Sequence, residues 1–262
     1  MTPKGVPGMI QAHAHSDTGP VRTVNEDSWL IQPDLGLYAV ADGMGGHNAG
    51  EVASRLAIDA LSGFVGRSAT DSDLSWPYGV DPDLSFQANR LRTGIYLSNR
   101  RVFRAAESRD DYTGMGTTLV SLLVNGDDRV VVGHVGDSRI YRLSADGFGP
   151  VFQDDSWAAA LKGQGLSSEE LAHHPMRHVL TNVVGARDQV TVHINEFPLV
   201  AGDCYLLCSD GLYGPVGDDG LEEILSAESD PAKAAAALVR RALDRGSRDN
   251  VTALVVRAGG AA

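Results

Sequence analysis

The segment Leu37-Tyr38-Ala39-Val40-Ala41-Asp42-Gly43-Met44-Gly45-Gly46-His47 joins an apolar run to a glycine-rich loop. Its first five residues are apolar and predict a buried β-strand, which stops at an acid followed by three glycines within four positions. From Asn48 to Phe64 the apolar residues recur at helical spacing, so a helix follows. We therefore expect Asp42 at the end of a strand, in a glycine loop that lets backbone approach a ligand closely.

An Asp-Gly pair alone is no more than a turn signal, and the chain has four such pairs, at Asp42, Asp146, Asp210 and Asp219. A strongly apolar run directly precedes Asp42 and Asp210, and this context separates them from the other two. We therefore single out Asp42 and Asp210 as candidate functional residues.

The composition narrows the class of protein. Hydrophobic residues make up 43% of the 262 positions, which is ample for the core of one large domain or two small ones. The formal net charge is −12, so the basic surface expected of a nucleic-acid-binding or membrane-surface protein is missing. No segment resembles a membrane span or a secretory signal. The cysteines, Cys204 and Cys208, indicate buried thiols, and we expect a reduced, cytoplasmic protein.

The order of the predicted elements favours antiparallel sheets. Apolar and alternating patterns predict strands over 9–15, 28–32, 37–41, 119–124, 129–135, 140–143, 190–197, 203–208 and 251–257. Helical periodicity predicts helices over 48–64, 84–108, 221–225 and 231–243. Several strands follow one another without an intervening helix, which argues against repeated βαβ units. We expect an α+β fold in which helices cover a sandwich of two sheets, within a single domain, 1–262.

Residues 154–185 differ from the rest and predict an inserted flap, because they are polar and only partly helical. The flap contains His173, His174 and His178, which could suggest a metal site. A His-His-Pro segment without a matching pattern of acids is more typical of a loop or a capping element.

Four acids share one sequence context. Asp42, Asp137 and Asp210 each follow an apolar run, and Asp249 comes just before the last one. Because the end of one antiparallel strand lies beside the start of its neighbour, the four acids can converge on one edge. Converging carboxylates need either a raised pKa or a bound cation. Singly, each acid could be an ordinary turn residue, but four in one context are poorly explained in that way.

Of the two ways to accommodate converging carboxylates, a bound metal ion is the one that points to a function. Oxygen ligands without a Cys or His pattern favour Mg²⁺ or Mn²⁺ over Zn²⁺. A bridging carboxylate and the backbone carbonyl of Gly43 would suit a pair of ions. Two such ions, roughly 3.5–4 Å apart, can activate a water and orient a phosphoryl group for in-line attack. Arg22 would then clamp the phosphate bidentately, although a surface arginine is the simpler interpretation from sequence alone.

Other chemistries fit the sequence badly. The glycine loop lacks the Lys-Ser/Thr of a P-loop, and its spacing is not that of a dinucleotide-binding loop. Neither cysteine lies in a loop followed by arginine, as a cysteine-nucleophile phosphatase requires. A Gly-x-Ser-x-Gly elbow is also missing from the sequence.

Six segments together resemble a known motif set. In chain order they are Arg22-Thr23-Val24-Asn25-Glu26-Asp27, Ala41-Asp42-Gly43-Met44-Gly45-Gly46-His47, Gly114-Met115-Gly116-Thr117-Thr118, Gly136-Asp137-Ser138-Arg139, Cys208-Ser209-Asp210-Gly211-Leu212 and Arg248-Asp249-Asn250. The set resembles that of the metal-dependent Ser/Thr protein phosphatases, the PPM or protein phosphatase 2C family, in its bacterial single-domain form. Each segment is a weak signal alone, but six in the same order over nearly the whole chain are specific.

The resemblance implies an αββα sandwich and a role for each site residue. Asp42 would bridge two Mn²⁺ or Mg²⁺ ions, with the Gly43 carbonyl beside it, and metal-bound water would attack the phosphate without a phospho-enzyme. The remaining roles are Asp210 and Asp249 on the first metal, Glu26 holding water on the second, Asp137 with Asp210 on a third and weaker metal, and Arg22 on the substrate phosphate.

One position departs from part of the family. Relatives that have Asp-Gly-His carry a histidine, thought to be a general acid, directly after the metal-binding glycine, whereas this chain has Met44 there. His47 is the bacterial-type candidate, since it lies on the same glycine loop and could reach the leaving oxygen. A helix-capping or solvent-facing role for His47 remains open.

The resemblance also implies partners. We expect phosphorylated Ser/Thr proteins as substrates, a Hanks-type Ser/Thr kinase whose phosphorylation the enzyme reverses, and a monomer without nucleic-acid or membrane partners. Two alternatives remain: a catalytically silent relative that binds phosphoproteins, and a hydrolase of small phosphoesters. Intact Asp42, Asp210, Asp249 and Arg22 argue against the silent relative.

Overall fold

The computed structural model describes residues 10–46, 49–71, 75–124, 129–163, 176 and 179–259. The strands form two antiparallel sheets. They are β1 (Gln11–Asp17), β2 (Asp27–Gln32), β3 (Leu37–Met44), β4 (Gly116–Thr117), β5 (Leu119–Val124), β6 (Arg129–Val135), β7 (Arg139–Ser144), β8 (Gly147–Pro150), β9 (His193–Pro198), β10 (Cys204–Cys208) and β11 (Val251–Arg257). One sheet has the order β1-β11-β10-β7-β8, and the other has the order β2-β3-β5-β6-β9, with β4 paired to β3.

Five α-helices lie within the described residues, and four of them cover the outer faces of the two sheets. The five are α1 (Ala49–Thr70), α2 (Phe86–Ser108), α3 (Trp157–Gly163), α4 (Asp210–Ala227) and α5 (Pro231–Asp244), with short 3₁₀ turns at Pro33–Leu35 and Asp110–Tyr112. Apolar side chains of α1 and α2 pack on the β2-containing sheet, and those of α4 and α5 pack on the β1-containing sheet. The result is an αββα sandwich, so the predicted fold class is confirmed.

Burial on both faces explains why the central strands are almost continuously apolar. In β3, Leu37 and Ala39 pack toward α1 and α2, whereas Tyr38 and Val40 pack into the layer between the sheets. Successive side chains of a strand point to opposite faces, so each position of such a strand needs an apolar residue. The described residues contain no helix that is both long and apolar enough to span a membrane.

Several predicted boundaries agree with the structure, and the differences have physical causes. Strands 119–124 and 129–135 are found with the predicted ends and pair antiparallel. Strand β3 does not stop at Ala41 but runs to Met44, because β4 pairs with Gly43 and Met44. Strand β9 begins at His193, three residues later than predicted. The turn at 125–128 and the flap histidines lie outside the described residues.

Two helices are longer than the sequence suggests. Helix α1 continues to Thr70, where the buried Arg90 of α2 donates hydrogen bonds to Val65 O and Ser68 Oγ. Helix α4 begins at Asp210 instead of at residue 221 and contains a kink at Gly217, whose φ is +70°. The first part of this helix is rich in glycine and proline, so its sequence shows no clear helical spacing of apolar residues.

The two ends of the predicted flap pair with each other, and the second end also pairs with β4 of the sandwich. Ser156 and Leu180 form an isolated bridge, and Val184 forms another with Thr117. Most of 164–178 lies outside the described residues, so the single-domain boundaries and the flap's path remain predictions.

Candidate active site

A cleft of about 440 Å³ opens where β3, β11 and the start of α4 meet. It gathers seven of the eight predicted site residues, and His47 lies outside the described residues. The seven are Arg22, Glu26, Asp42, Gly43, Asp137, Asp210 and Asp249, and they share the cleft with Met44, Gly45, Thr118, Leu180, Val183 and Asn250. The predicted convergence of the acids on one edge is therefore found.

Asp42 lies at the centre of the acidic group and is held by its backbone. Its N–H donates to Thr118 Oγ1 at 3.0 Å, and its carbonyl accepts from Thr118 N–H and Thr117 Oγ1, both at 2.9 Å. Burial raises the pKa of the Asp42 carboxyl well above its usual value, and the charge of Asp27 raises it further. Asp210 and Asp137 add to the same shift. The ionised form of Asp42 therefore needs a nearby cation.

Asp27 is a second buried acid, and sequence reasoning missed its importance. It faces Asp42 directly in the β2–β3 register. One oxygen, Oδ2, accepts from Ser209 Oγ at 2.7 Å and from Thr252 Oγ1 at 2.6 Å. The other, Oδ1, is buried without a hydrogen-bond partner among the described residues. Burial raises the pKa of Asp27 to about 6 despite the two hydroxyl donors.

Asp137 lines the cleft from the turn between β6 and β7. Gly136 adopts a φ of +104° there, which an L side chain rarely tolerates. Tyr213 donates its hydroxyl to the Asp137 carbonyl at 3.0 Å. Burial, followed by the charge of Asp210, raises the pKa of the Asp137 carboxyl to about 7.

Asp210 is the first residue of α4, directly after the N-cap residue Ser209. The N-terminus of a helix carries a partial positive charge, which favours a carboxylate at this position. The Ser209 hydroxyl also binds Asp27, so the start of α4 is tied to the β2–β3 pair. This contact brings the acids of the two sheets together.

Asn250 locks the loop that carries Arg22 and Glu26. Its Nδ2 donates to Thr18 O and Val24 O, and its Oδ1 accepts the Glu26 N–H at 2.8 Å. A single amide side chain thus holds both ends of this loop against the start of β11. The motif that contains Asn250 does not reveal this role, because the partners of the side chain are distant in the sequence.

Arg22 and Asp249 form an ion pair at the mouth of the cleft. Arg22 Nη2 lies 2.7 Å from Asp249 Oδ2, and both side chains are partly exposed. This hydrogen bond raises the pKa of the Arg22 guanidinium, which stays charged. The pair holds a cation and an acid side by side where a ligand would enter.

Two glycines allow close backbone packing around Glu26. A Cβ on Gly43 would lie 2.0 Å from Gly50 O and 2.7 Å from Glu26 O. A Cβ on Gly50 would lie 2.4 Å from Glu26 Oε1. The first turn of α1 therefore packs directly against Glu26 and Gly43, and glycine is required at both positions by this close contact.

The donor set fits hard divalent cations. Carboxylate and carbonyl oxygens from several elements converge in the cleft. The carboxylates raise one another's pKa values, and a bound cation would relieve their repulsion. Mg²⁺ and Mn²⁺ prefer such oxygen ligands. The unpartnered Asp27 Oδ1 adds a further buried acceptor beside Asp42.

We expect Asp137→Asn to stabilise the protein when divalent cations have been removed with EDTA. The folded pKa is raised from 3.8 to about 7, so the ionised carboxyl destabilises the fold at pH 8, and a neutral amide removes this cost. Differential scanning calorimetry at pH 8 should show a melting temperature a few degrees higher. The gain should vanish near pH 4, where Asp137 is protonated. A lower melting temperature at pH 8 would contradict a buried repulsion.

We expect Gly43→Ala to destabilise the fold by about 2 kcal/mol or more, because its methyl group overlaps two carbonyl oxygens. Gly46→Ala is the matched control from the same loop, since a Cβ there meets nothing within 4 Å. Urea denaturation should show a change within about 0.5 kcal/mol for the control. Equal effects of both substitutions would show that the close packing is not what requires glycine.

Comparison with known proteins agrees with this geometry. The family described as protein phosphatase 2C matches residues 14–254. The chain is 38% identical over 249 residues to the serine/threonine protein phosphatase PstP of Mycobacterium tuberculosis, which covers 94% of this chain and 45% of PstP. The chain thus spans about half the length of that relative. It is 33% identical over 258 residues to the serine/threonine phosphatase stp of Listeria innocua, covering 94% and 95% of the two chains.

Solved structures show the same fold. The crystal structure of Mycobacterium tuberculosis PstP/Ppp matches with a TM-score of 0.81 at 36% identity, covering 95% of this chain and 99% of that one. A PstP catalytic domain in complex with two manganese ions matches with a TM-score of 0.78 at 36% identity, covering 95% and 97%. The resemblance drawn from the six motifs is confirmed, and the chain belongs to the protein phosphatase 2C family.

Proposed function

We propose that this chain is a divalent-metal-dependent phosphatase that hydrolyses phosphoserine and phosphothreonine in proteins. The observation that carries the proposal is the cleft itself, in which half-buried acids with raised pKa values meet an arginine at the mouth. Relatives of similar length carry the name serine/threonine phosphatase, which supports the same activity.

The metal ligands are proposed residue by residue. Asp42 and the Gly43 carbonyl would contact two ions, Asp210 and Asp249 would complete one, and Glu26 would hold water on the other. Asp137, together with Asp210, would serve a third and weaker ion. Mn²⁺ or Mg²⁺ bound there would supply an activated water and neutralise the phosphate. The manganese in a PstP structure supports a divalent metal of this kind.

Arg22 is proposed to bind the substrate phosphate. Its guanidinium has five N–H donors in a planar fork, which suits bidentate contact with a phosphate. The ion pair with Asp249 orients the fork at the mouth of the cleft, and the side chain is 47% exposed. A phosphorylated side chain can therefore reach Arg22 without a change in the buried acids.

A general acid would protonate the leaving oxygen of the substrate. Met44 lines the cleft directly after Gly43, so the position occupied by histidine in some relatives offers no titratable group here. His47 stays the predicted general acid, and it lies outside the described residues. Substitution of His47 would lower kcat most with leaving groups that need protonation.

The wider setting is proposed from the resemblance. A phosphoprotein produced by a Ser/Thr kinase is the expected substrate, and a cytoplasmic monomer is the expected form. Of the alternatives, a silent phosphoprotein-binding relative is disfavoured because every described predicted ligand lines the cleft. A hydrolase of small phosphoesters makes the same use of metals and differs only in substrate preference.

We expect Asp42→Asn and Asp210→Ala each to lower Mn²⁺-dependent turnover by about 10³-fold or more, because both acids would hold the cations that activate water. Asp219→Ala is the matched control, since Asp219 precedes a glycine on the same helix as Asp210 but is exposed outside the cleft. Hydrolysis of p-nitrophenyl phosphate and of a phosphothreonine peptide should be measured with EDTA, Mn²⁺ and Mg²⁺.

These assays also separate the alternatives. Turnover of the peptide well above that of the small ester supports a protein phosphatase, and the reverse preference favours a small-phosphoester hydrolase. Peptide binding without hydrolysis under any metal would make the silent relative the better interpretation. Near-normal rates in either cleft variant would contradict the proposed ligands.

We expect Arg22→Ala to raise KM by about tenfold with a smaller change in kcat, since a phosphate contact of this kind stabilises ground and transition states alike. Arg22→Lys should be intermediate because it retains charge but loses the planar fork. Arg240→Ala, an exposed arginine of α5, controls for the change in net charge. A loss confined to kcat would argue against a phosphate clamp.

A further inference from the structure

A second group of metal-binding residue types lies outside the acidic cleft. His134 of β6 and His193 of β9 face each other directly in the strand register. Asp155, at the start of the flap, approaches the same point. One ring nitrogen of each histidine and one carboxylate oxygen lie within 4.8 Å of one another. Two imidazoles and a carboxylate form a donor set different from the oxygen ligands of the cleft.

His134 is held in the form that a metal requires. It is 1% exposed, and its ring stacks on Phe152 with centroids 5.1 Å apart. Burial lowers the pKa of His134 to about 4, so the imidazole is neutral at physiological pH. Its Nδ1 is buried and has no hydrogen-bond partner among the described residues. A buried ring nitrogen of this kind is uncommon in a folded protein and calls for an explanation.

Two hydrogen-bond donors hold one carboxylate oxygen of Asp155. Its Oδ2 accepts from Asn182 Nδ2 at 2.6 Å and from the Gly136 N–H at 3.0 Å. Its Oδ1 lies 2.9 Å from His193 Nε2 and is thus directed at the histidines. Metal-ligating carboxylates are typically oriented by outer contacts such as these.

We propose that His134, Asp155 and His193 form a further metal site, selective for a zinc-like transition cation. Imidazole nitrogens favour such cations, whereas Mg²⁺ prefers oxygen ligands throughout. The cation would take the place of the hydrogen bond between His193 Nε2 and Asp155 Oδ1, with the proton of the neutral imidazole carried on Nδ1. Small side-chain rotations would have to bring the three ligand atoms closer together to reach tetrahedral contact distances of about 2.0–2.2 Å. His193 is 40% exposed, which gives the ion access and leaves a fourth position for water.

The site has a structural role at the base of the flap. Asp155 N–H donates to Gly136 O at 2.7 Å, and Thr181 N–H donates to Asp155 O at 2.8 Å. Asp155 thus joins both ends of the flap to the residue before Asp137. A cation bound to Asp155 and to two neighbouring strands would fasten the flap to the sheet.

The test uses Co²⁺ as a spectroscopic probe of the full-length protein in excess Mg²⁺. Four-coordinate Co²⁺ with nitrogen ligands absorbs visible light far more strongly than six-coordinate Co²⁺ bound by oxygen. We expect one equivalent of strongly absorbing Co²⁺, displaced by one equivalent of Zn²⁺. His193→Gln should weaken Zn²⁺ binding at least about 100-fold, because loss of a ligand exceeds the effect of losing an outer contact. His193→Cys, which keeps a zinc ligand, should retain binding.

Two controls separate this site from other histidines and from the cleft. His13→Ala removes an exposed histidine of β1, and Asp210→Ala disables the proposed catalytic site, so both should retain the Co²⁺ band. Zn²⁺ should raise the melting temperature of Asp210→Ala and leave that of the double variant Asp210→Ala/His193→Gln unchanged. Absence of the band in the natural sequence, its persistence in His193→Gln, or its loss in Asp210→Ala would each overturn the proposal. The readout is independent of phosphatase activity.

Discussion

The structure depends on two acids, the buried Asp27 and the half-buried Asp42, that face each other across two strands. Asp27 and Asp42 are directly opposed in the β2–β3 register, where like charges destabilise a sheet. Two hydroxyl groups satisfy one oxygen of Asp27, and burial still raises the pKa values of both carboxyls. The need of the cleft for cations therefore begins in the backbone pairing, before Asp137, Asp210 and Asp249 add further negative charge.

Neutral contacts position Asp42 and Glu26 without cancelling their charge, whereas Asp249 is paired with Arg22. Thr118 holds Asp42 through the backbone, and Asn250 holds the loop that carries Glu26. Arginines are kept from the centre of the cleft. Arg139, two residues after Asp137, donates to both oxygens of Asp154 and stacks over Tyr213 at 3.7 Å. The cleft therefore stays negatively charged and can bind cations from solvent. The same charge lowers the stability of the metal-free fold.

The sequence predicts the parts of this arrangement that are local. Apolar runs locate the central strands, and the acids that follow or precede them locate most of the cleft. It does not predict that Asp27 matters, because that depends on Ser209 and Thr252, which are distant in the chain. The extension of α1 depends in the same way on the buried Arg90 of another helix. Long-range contacts of single polar side chains leave no periodic signal.

The turn between β6 and β7 connects the cleft to the flap. Gly136 contacts Asp155 through both its N–H and its carbonyl, and the next residue is Asp137. Burial and the charge of Asp210 raise the pKa of the Asp137 carboxyl to about 7, so its ionisation depends on the packing of this turn. Because Asp155 also accepts from Asn182 near the other end of the flap, one residue joins both ends of the flap to the residue before Asp137. The turn that carries this proposed metal ligand therefore shares its hydrogen bonds with the contacts that hold the flap to the sandwich.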